Sequence, residues 1–144
     1  MIIKLTPPQI TEYWENIKYS MVHGDLIEES HRQIVLNETL QALLSETAQC
    51  FMRIDPEDRK IIAVMITRIK ISDRSFDKYL YIQCIFSYRK VKNIDWQKDW
   101  NFVGEFAHSN DCKYIIADSS NSQIFNLMNN LGAQEIYRTF KFEL

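Results

Sequence analysis

The stretch KYIIADSSNSQIFNLMNNLG, residues 113–132, changes its period halfway along. Lys113–Ala117 reads as a short strand, with Tyr114, Ile115 and Ile116 supplying residues that suit a pleated surface. Asp118-Ser119-Ser120 then supplies the polar side chains that open a helix. Ile124, Phe125, Leu127, Met128 and Leu131 follow at helical spacing, and Gly132 stands where a helix closes through a left-handed residue. A strand feeding directly into a capped helix predicts an α/β chain.

Downstream of this unit, Glu135–Leu144 reads as a final strand, alternating through Ile136, Tyr137, Phe140 and Phe142. Upstream, Trp96, Trp100, Val103 and Ala107 share a helix face with Phe102 and Phe106 beside it. Asn93 or Asp95 is its expected cap. Before that helix come three strands, Gln49–Ile54, Ile61–Ile71 and Lys78–Tyr88, separated by the polar turns Asp55–Asp58 and Ser72–Ser75. Short turns of this kind predict an antiparallel meander. Strict alternation along Lys78–Tyr88 puts Tyr79, Tyr81, Gln83, Ile85 and Ser87 on one face, and Leu80, Ile82, Cys84 and Phe86 on the other.

The first third holds a short strand, Ile2–Leu5, and two helices. Thr6-Pro7-Pro8-Gln9 is a capping box ahead of Ile10, Tyr13, Trp14, Ile17 and Met21, a helix that His23-Gly24-Asp25 ends. Ser30-His31-Arg32-Gln33 repeats the box ahead of Leu36, Leu40, Leu43 and Leu44. The expected order is β-α-α-β-β-β-α-β-α-β in one domain spanning 1–144, with a mixed, mostly antiparallel sheet flanked by helices.

Composition narrows the function. The chain has 144 residues, 46% of them hydrophobic, which suffices for a core. Its net charge of −2 disfavours a nucleic-acid binder. The three glycines, Gly24, Gly104 and Gly132, lie too far apart for a Walker-type or dinucleotide-type loop. No apolar run reaches the roughly 18 residues of a membrane span. Cys50, Cys84 and Cys112 are odd in number and widely spaced, so the reading is buried thiols in a reducing, cytoplasmic setting. His108 and Cys112 find no third ligand nearby in sequence, so no metal is expected. No nucleophile elbow is present.

The unit at 113–132 resembles the last strand–helix unit of the GNAT N-acetyltransferase superfamily. Asn121, Ile124, Leu127, Leu131 and Gly132 fit that family's pattern in register. The element order is similar across essentially the whole chain. Two positions depart: Met128 stands where the family often has a tyrosine that protonates the leaving thiolate, and Ala133 where phenylalanine is usual. The family's glycine loop, which holds the coenzyme A pyrophosphate at a helix N-terminus, falls on Tyr88–Trp96, and no glycine is there. The abbreviated end of the chain is similar to small GNAT-like proteins of bacteriophages. That would place the protein in a host cytoplasm or a virion.

The resemblance implies acetyl-CoA as acyl donor and an amine as acceptor. Phosphates would fall to Arg89, Lys90, Lys92 and Asn93, the pantetheine arm to Asn121 and Met128, and the thioester carbonyl to an amide near Phe86. Asp95 would oppose an anion in that loop. Arg89-Lys90-Val91-Lys92 is equally a solvated turn, and Asn121 equally a helix cap. The acceptor's proton needs a base. Asp25, Glu28 and Glu29, in the loop between the first two helices, are candidates beside their plainer reading as polar residues near a cap. Gln83 lies on the central strand, and Tyr137 is the substitute acid for Met128, or half-buried packing. Trp96 and Trp100 read as core anchors. The alternative to an enzyme is a catalytically degenerate member whose partner is another protein, as in a particle or assembly module.

Overall fold

The computed structural model describes residues 1–24, 27–119 and 121–144. A five-stranded sheet runs in the order β1-β2-β3-β4-β5. Its strands are β1 (Ile2–Lys4), β2 (Ala48–Ile54), β3 (Ile61–Ile71), β4 (Lys78–Ser87) and β5 (Ile115–Ala117). β2 to β4 pair antiparallel in succession, as the polar turns between them dictate; β1 pairs antiparallel with β2 after the three helices that separate them in sequence, and β5 joins β4 in parallel. The α/β class with a mixed, mostly antiparallel sheet is therefore as expected.

The first helical stretch forms as two helices, α1 (Pro7–Glu12) and α2 (Trp14–Gly24), broken at Tyr13. Its capping box closes from the Gln9 side: Gln9 Oε1 accepts the Thr6 N–H at 2.9 Å and the Thr6 hydroxyl at 3.1 Å. The second expected box does not form. A 3-10 turn at Glu29–His31 precedes α3 (Arg32–Leu44), and the Ser30 hydroxyl engages His31 rather than a helix amide. α4 (Asn93–Ser109) is capped at Lys92 by backbone alone, so neither Asn93 nor Asp95 is its cap. α5 (Ser122–Asn130) is capped by Asn121, whose Oδ1 accepts the Gln123 N–H at 2.8 Å. It ends with Gly132 at φ 86° and the Ala133 N–H bonded to Met128 O, the closure the sequence predicts.

Two cores flank the sheet. On one face Ile10, Ile17, Met21, Leu36 and Leu43 of α1–α3 bury against Cys50, Met52, Val64, Ile66 and Cys84. On the other, Val103 and Ala107 of α4 bury against Phe51, Met65, Leu80 and Ile82. Each fully buried aliphatic or aromatic side chain contributes about 1.5–3 kcal/mol. Cys50 and Cys84 are buried as expected, whereas Cys112 is half-buried. Trp100 packs against the α4-side core.

Strict alternation fails on β4. The β3–β4 register shifts between Ile66 and Thr67, whose partners are Cys84 and Ile82, so Gln83 is an extra residue in β4. Such a bulge turns the strand over. Leu80 and Ile82 face α4, but Cys84 and Phe86 face α2, and Ile85 returns to the α4 side. The expected grouping of Ile85 with Tyr79, Tyr81 and Gln83 is thus corrected.

The expected last strand is also corrected. Residues 133–144 form no strand, and all are exposed, including Phe140 at 78% and Phe142 at 87%. Apolar alternation confers strand competence, but a strand exists only where a neighbour accepts its backbone hydrogen bonds.

Candidate functional site

The sheet opens between β4 and β5. Among the described residues, β5 pairs only with Leu80–Ile82 of β4, after which β4 continues without a partner strand on that side to Ser87. The Tyr88 N–H bonds to Ile62 O at 2.8 Å, so Tyr88 points its amide at β3. By the alternation of an antiparallel ladder, Phe86 and Cys84 also point at β3, and the amides of Ile85 and Ser87 turn toward the gap. The Phe86 amide itself is thus directed away from the gap. Sequence reasoning missed this because the bulge at Gln83 reverses the parity.

The end of β4 is fixed to α2. The Tyr88 hydroxyl donates to Asn16 O at 2.7 Å and lies 3.2 Å from the Ser20 hydroxyl. Tyr19 stacks on His23 at 3.9 Å and on Tyr88 at 5.7 Å, and the Phe86 ring stands edge-on to Tyr88 at 5.1 Å. Gly24 ends α2 against this strand. A Cβ there would lie 3.0 Å from Ile85 O and 3.0 Å from Phe86 Cβ, so glycine permits the close approach.

The basic turn after β4 is divided. Arg89 is held by the β2–β3 turn, with its guanidinium 3.2 Å from both the Asp55 and the Asp58 carboxylates. A backbone hydrogen bond from Lys60, and then Arg89, keep the Asp58 carboxyl below its ordinary value. Lys90 and Lys92 are exposed and make no ion pair among the described residues. With Arg53, Asp55, Arg89 and Asp95 they line a depression of about 280 Å³ at the start of α4. Asn93 is the exposed first residue of α4.

Asp95 does not face that depression as a bare charge, because Arg53 of β2 pairs with it at 2.9 Å. The other Arg53 nitrogen meets Asp99 at 2.5 Å, and Asp99 is only 3% exposed. Burial raises the Asp99 carboxyl from its ordinary value, with Arg53 pulling it back down. This Arg53–Asp95–Asp99 group was not foreseen. Its available signal was a pair of aspartates four apart, bordering the apolar stripe of α4.

Gln83 is fixed on the opposite side of the sheet. Its Oε1 accepts Arg68 Nε–H at 2.8 Å, and its amide nitrogen donates to Thr39 at 3.3 Å. Arg68 also forms a two-pronged pair with Glu38 at 2.8 and 2.6 Å. Glu28 opens the 3-10 turn, is 69% exposed, and lies 3.5 Å from His31 and 4.0 Å from Lys141. Asp25 falls outside the described residues, as does Ser120. Tyr137 is half-exposed and close to Tyr79, whose phenol is raised by partial burial, then by Tyr114 and Tyr137. Tyr79 and Phe86 sit at opposite ends of β4, roughly 20 Å apart. The structure therefore does not bring Tyr137 to the Phe86 end. Asn121 and Met128 lie on α5, Asn121 as its cap and Met128 half-buried.

No group of three metal-ligating side chains occurs among the described residues. No helix among them is long and apolar enough to cross a membrane.

By sequence, the chain matches no protein-family model and no curated protein. By structure it is similar to an aminoglycoside antibiotic 6'-N-acetyltransferase, AAC(6')-IG from Acinetobacter haemolyticus. That match has TM-score 0.74 and 14% identity, and covers 100% of this chain and 97% of the other. It is also similar to a ribosomal-protein-alanine N-acetyltransferase from Brucella melitensis biovar Abortus 2308, at TM-score 0.70 and 9% identity, covering 100% and 99%. A GNAT family acetyltransferase of Staphylococcus aureus superposes at TM-score 0.67 and 15% identity, covering 99% and 98%. The protein has the fold of the GNAT acetyltransferases.

Proposed function

We propose that the protein is an acyl-CoA-dependent N-acetyltransferase acting on an amine. The observation that supports this best is the gap beside Gln83–Ser87, with the Ile85 and Ser87 amides turned into it. Backbone amides aimed at one point polarise a carbonyl without help from any side chain. The residues around the gap suit an acyl-coenzyme A. No side chain caps α4: the Asp95 and Trp96 amides bond to Lys92 O, those of Asn93 and Ile94 are left to an anion, and Lys90 and Lys92 stand beside them. Acetyl-CoA supplies the acetyl group as an activated thioester when bound. Lys90 and Lys92 hold its phosphates, and Asn93 and Asn121 border the path of its arm, with Met128 on the α5 side. Arg89 joins only by leaving Asp55 and Asp58.

Glu28, exposed beside the α2–α3 connection, accepts the proton of the incoming ammonium, directly or through water. Gln83 acts by holding the bulge that turns the amides. Tyr137 lies too far from Phe86 to donate a proton there without a movement of residues 133–144. The acceptor is a primary amine, and an aminoglycoside and a peptide N-terminus are the two probes that the structural neighbours suggest.

Calorimetric titration with acetyl-CoA tests the reading. Micromolar binding is expected, weakened at least tenfold in the Lys90→Ala/Lys92→Ala protein. An absence of heat at millimolar ligand overturns it. One observation favours a second reading, a catalytically degenerate protein-binding module. The 88–96 turn has no glycine and its arginine is occupied by Asp55 and Asp58. That reading predicts no acetyl-CoA binding by the Arg89→Ala protein either.

A further inference from the structure

Arg32 occupies a costly place. It is the first residue of α3, where the helix dipole favours a negative charge and opposes a positive one. The first turn of α3 has no acidic residue to offset it. Glu28, just ahead of the helix, is engaged by His31 and Lys141 instead. Among the described residues Arg32 makes no ion pair, and its Nε is buried with no hydrogen-bond partner. A buried polar atom without a partner is rare and calls for a physical reason.

Arg32 borders a groove of about 330 Å³ between α2 and α3. Lys18, Tyr19, Val22 and His23 line it from α2, and Leu36 faces them from α3 beside Arg32. Among the described residues its lining belongs to these two helices alone, apart from the gap beside β4 and from the basic depression at α4. Its walls are largely apolar: Val22, the buried Leu36, the Tyr19 ring and the stem of Lys18. His23 Nδ1 donates to Tyr19 O at 2.9 Å, which fixes the imidazole where it stacks on the Tyr19 ring.

The permanent charges leave one positive charge in excess. Lys18 is offset by Glu15 at 3.0 Å, and Arg32 is not offset. A ligand with a second negative charge, such as a phosphate monoester, meets Glu15 instead of a cation. The guanidinium itself selects the ligand's shape. Nε–H and the neighbouring Nη–H form a side-on fork that matches the two oxygens of one carboxylate. The volume lies at the low end of the roughly 300–1,000 Å³ of small-molecule sites.

We propose that the groove between α2 and α3 binds a small monocarboxylate with an apolar or aromatic body, its carboxylate held side-on by Arg32. The acid supplies the acceptor that Arg32 Nε lacks, and the body covers Val22 and Leu36. The site does not depend on acyl transfer.

NMR titration of the full nitrogen-15-labelled chain with phenylacetate and with hexanoate tests this. Binding at millimolar concentration or tighter is expected for at least one acid. The amides of α2 and α3 around the groove should shift, and the Arg32 Nε–H resonance should move with them. Phenylacetamide, neutral and of the same shape, is expected to bind about tenfold more weakly or worse. Arg32→Gln should remain folded, because it removes a charge that opposes the helix dipole, and should lose about tenfold in affinity. Arg32→Lys keeps the charge without the fork and should fall between the two. Failure of both acids to bind at tens of millimolar overturns the proposal. So do shifts centred on β4 and α4, equal binding of phenylacetamide, or unchanged affinity in Arg32→Gln.

Discussion

Arg53 joins two acidic residues of α4 to the sheet, and the cost of losing it follows from burial. Asp99 is almost completely enclosed, so a neutral residue at 53 leaves a carboxylate without its ion-pair partner in a poor solvent. Arg53→Met is expected to destabilise the fold by about 3–5 kcal/mol. Adding Asp99→Leu should recover much of that loss, which urea unfolding of the single and double variants will read. The thiols differ for a related reason. Burial pushes the Cys50 thiol well above its ordinary value, with Cys84 adding to it; burial raises the Cys112 thiol too, but that side chain is only half-buried. Since the thiolate is the reactive form, Cys112 should react first with a disulfide reagent at mildly alkaline pH. Cys50 should react only on unfolding, as mass spectrometry of a labelling time course will show.

At the scale of elements, the contact of α2 with β4 depends on Gly24. A methyl group there meets Ile85 O and Phe86 Cβ at 3.0 Å, closer than ordinary packing. Gly24→Ala is expected to cost about 1–3 kcal/mol and to lower the thermal midpoint. If the gap beside β4 holds the acyl donor, the same substitution also weakens acetyl-CoA binding, because the displaced atoms border the gap. The elements were largely legible in the sequence: β3 was read as Ile61–Ile71, and the closure of α5 at Gly132 follows from the residue itself. The Ser30 box was not formed, because the chain enters α3 through a 3-10 turn and the Ser30 hydroxyl is taken by His31. The bulge at Gln83 left no mark in the sequence, since an extra residue in a strand is defined only against its partner.

For the whole molecule, Arg68 ties α3 to β3 and β4 through Glu38 and Gln83. The hydrogen bond from Arg68 holds the Glu38 carboxyl below its ordinary 4.5, against a smaller cost of burial. The unfolded chain therefore binds this proton more readily than the folded one. The stability that Glu38 contributes is complete above its unfolded value and is lost as pH falls through the lowered folded value. Glu38→Gln should thus lower stability near neutral pH by less than about 1 kcal/mol, because the glutamate is exposed. The difference from the unaltered protein should shrink as pH falls below the ordinary glutamate value and through the lowered folded one, as urea unfolding across the acid range will show.

The sequence by itself determined the α/β class, the meander and the strand–helix unit at 113–132. These follow from local period, capping residues and turn residues, which act over a few positions. It also located the basic turn at Arg89–Lys92. Tertiary structure alone decided what that turn holds: Arg89 is drawn to Asp55 and Asp58, more than thirty residues away, leaving Lys90 and Lys92 exposed. It likewise decided which amides face the gap, because the Gln83 bulge exists only in the pairing of β4 with β3. The segment 139–144 shows the same division. Its alternation is written in the residues, but whether it becomes a strand depends on a neighbour, and a backbone hydrogen bond needs both of its partners.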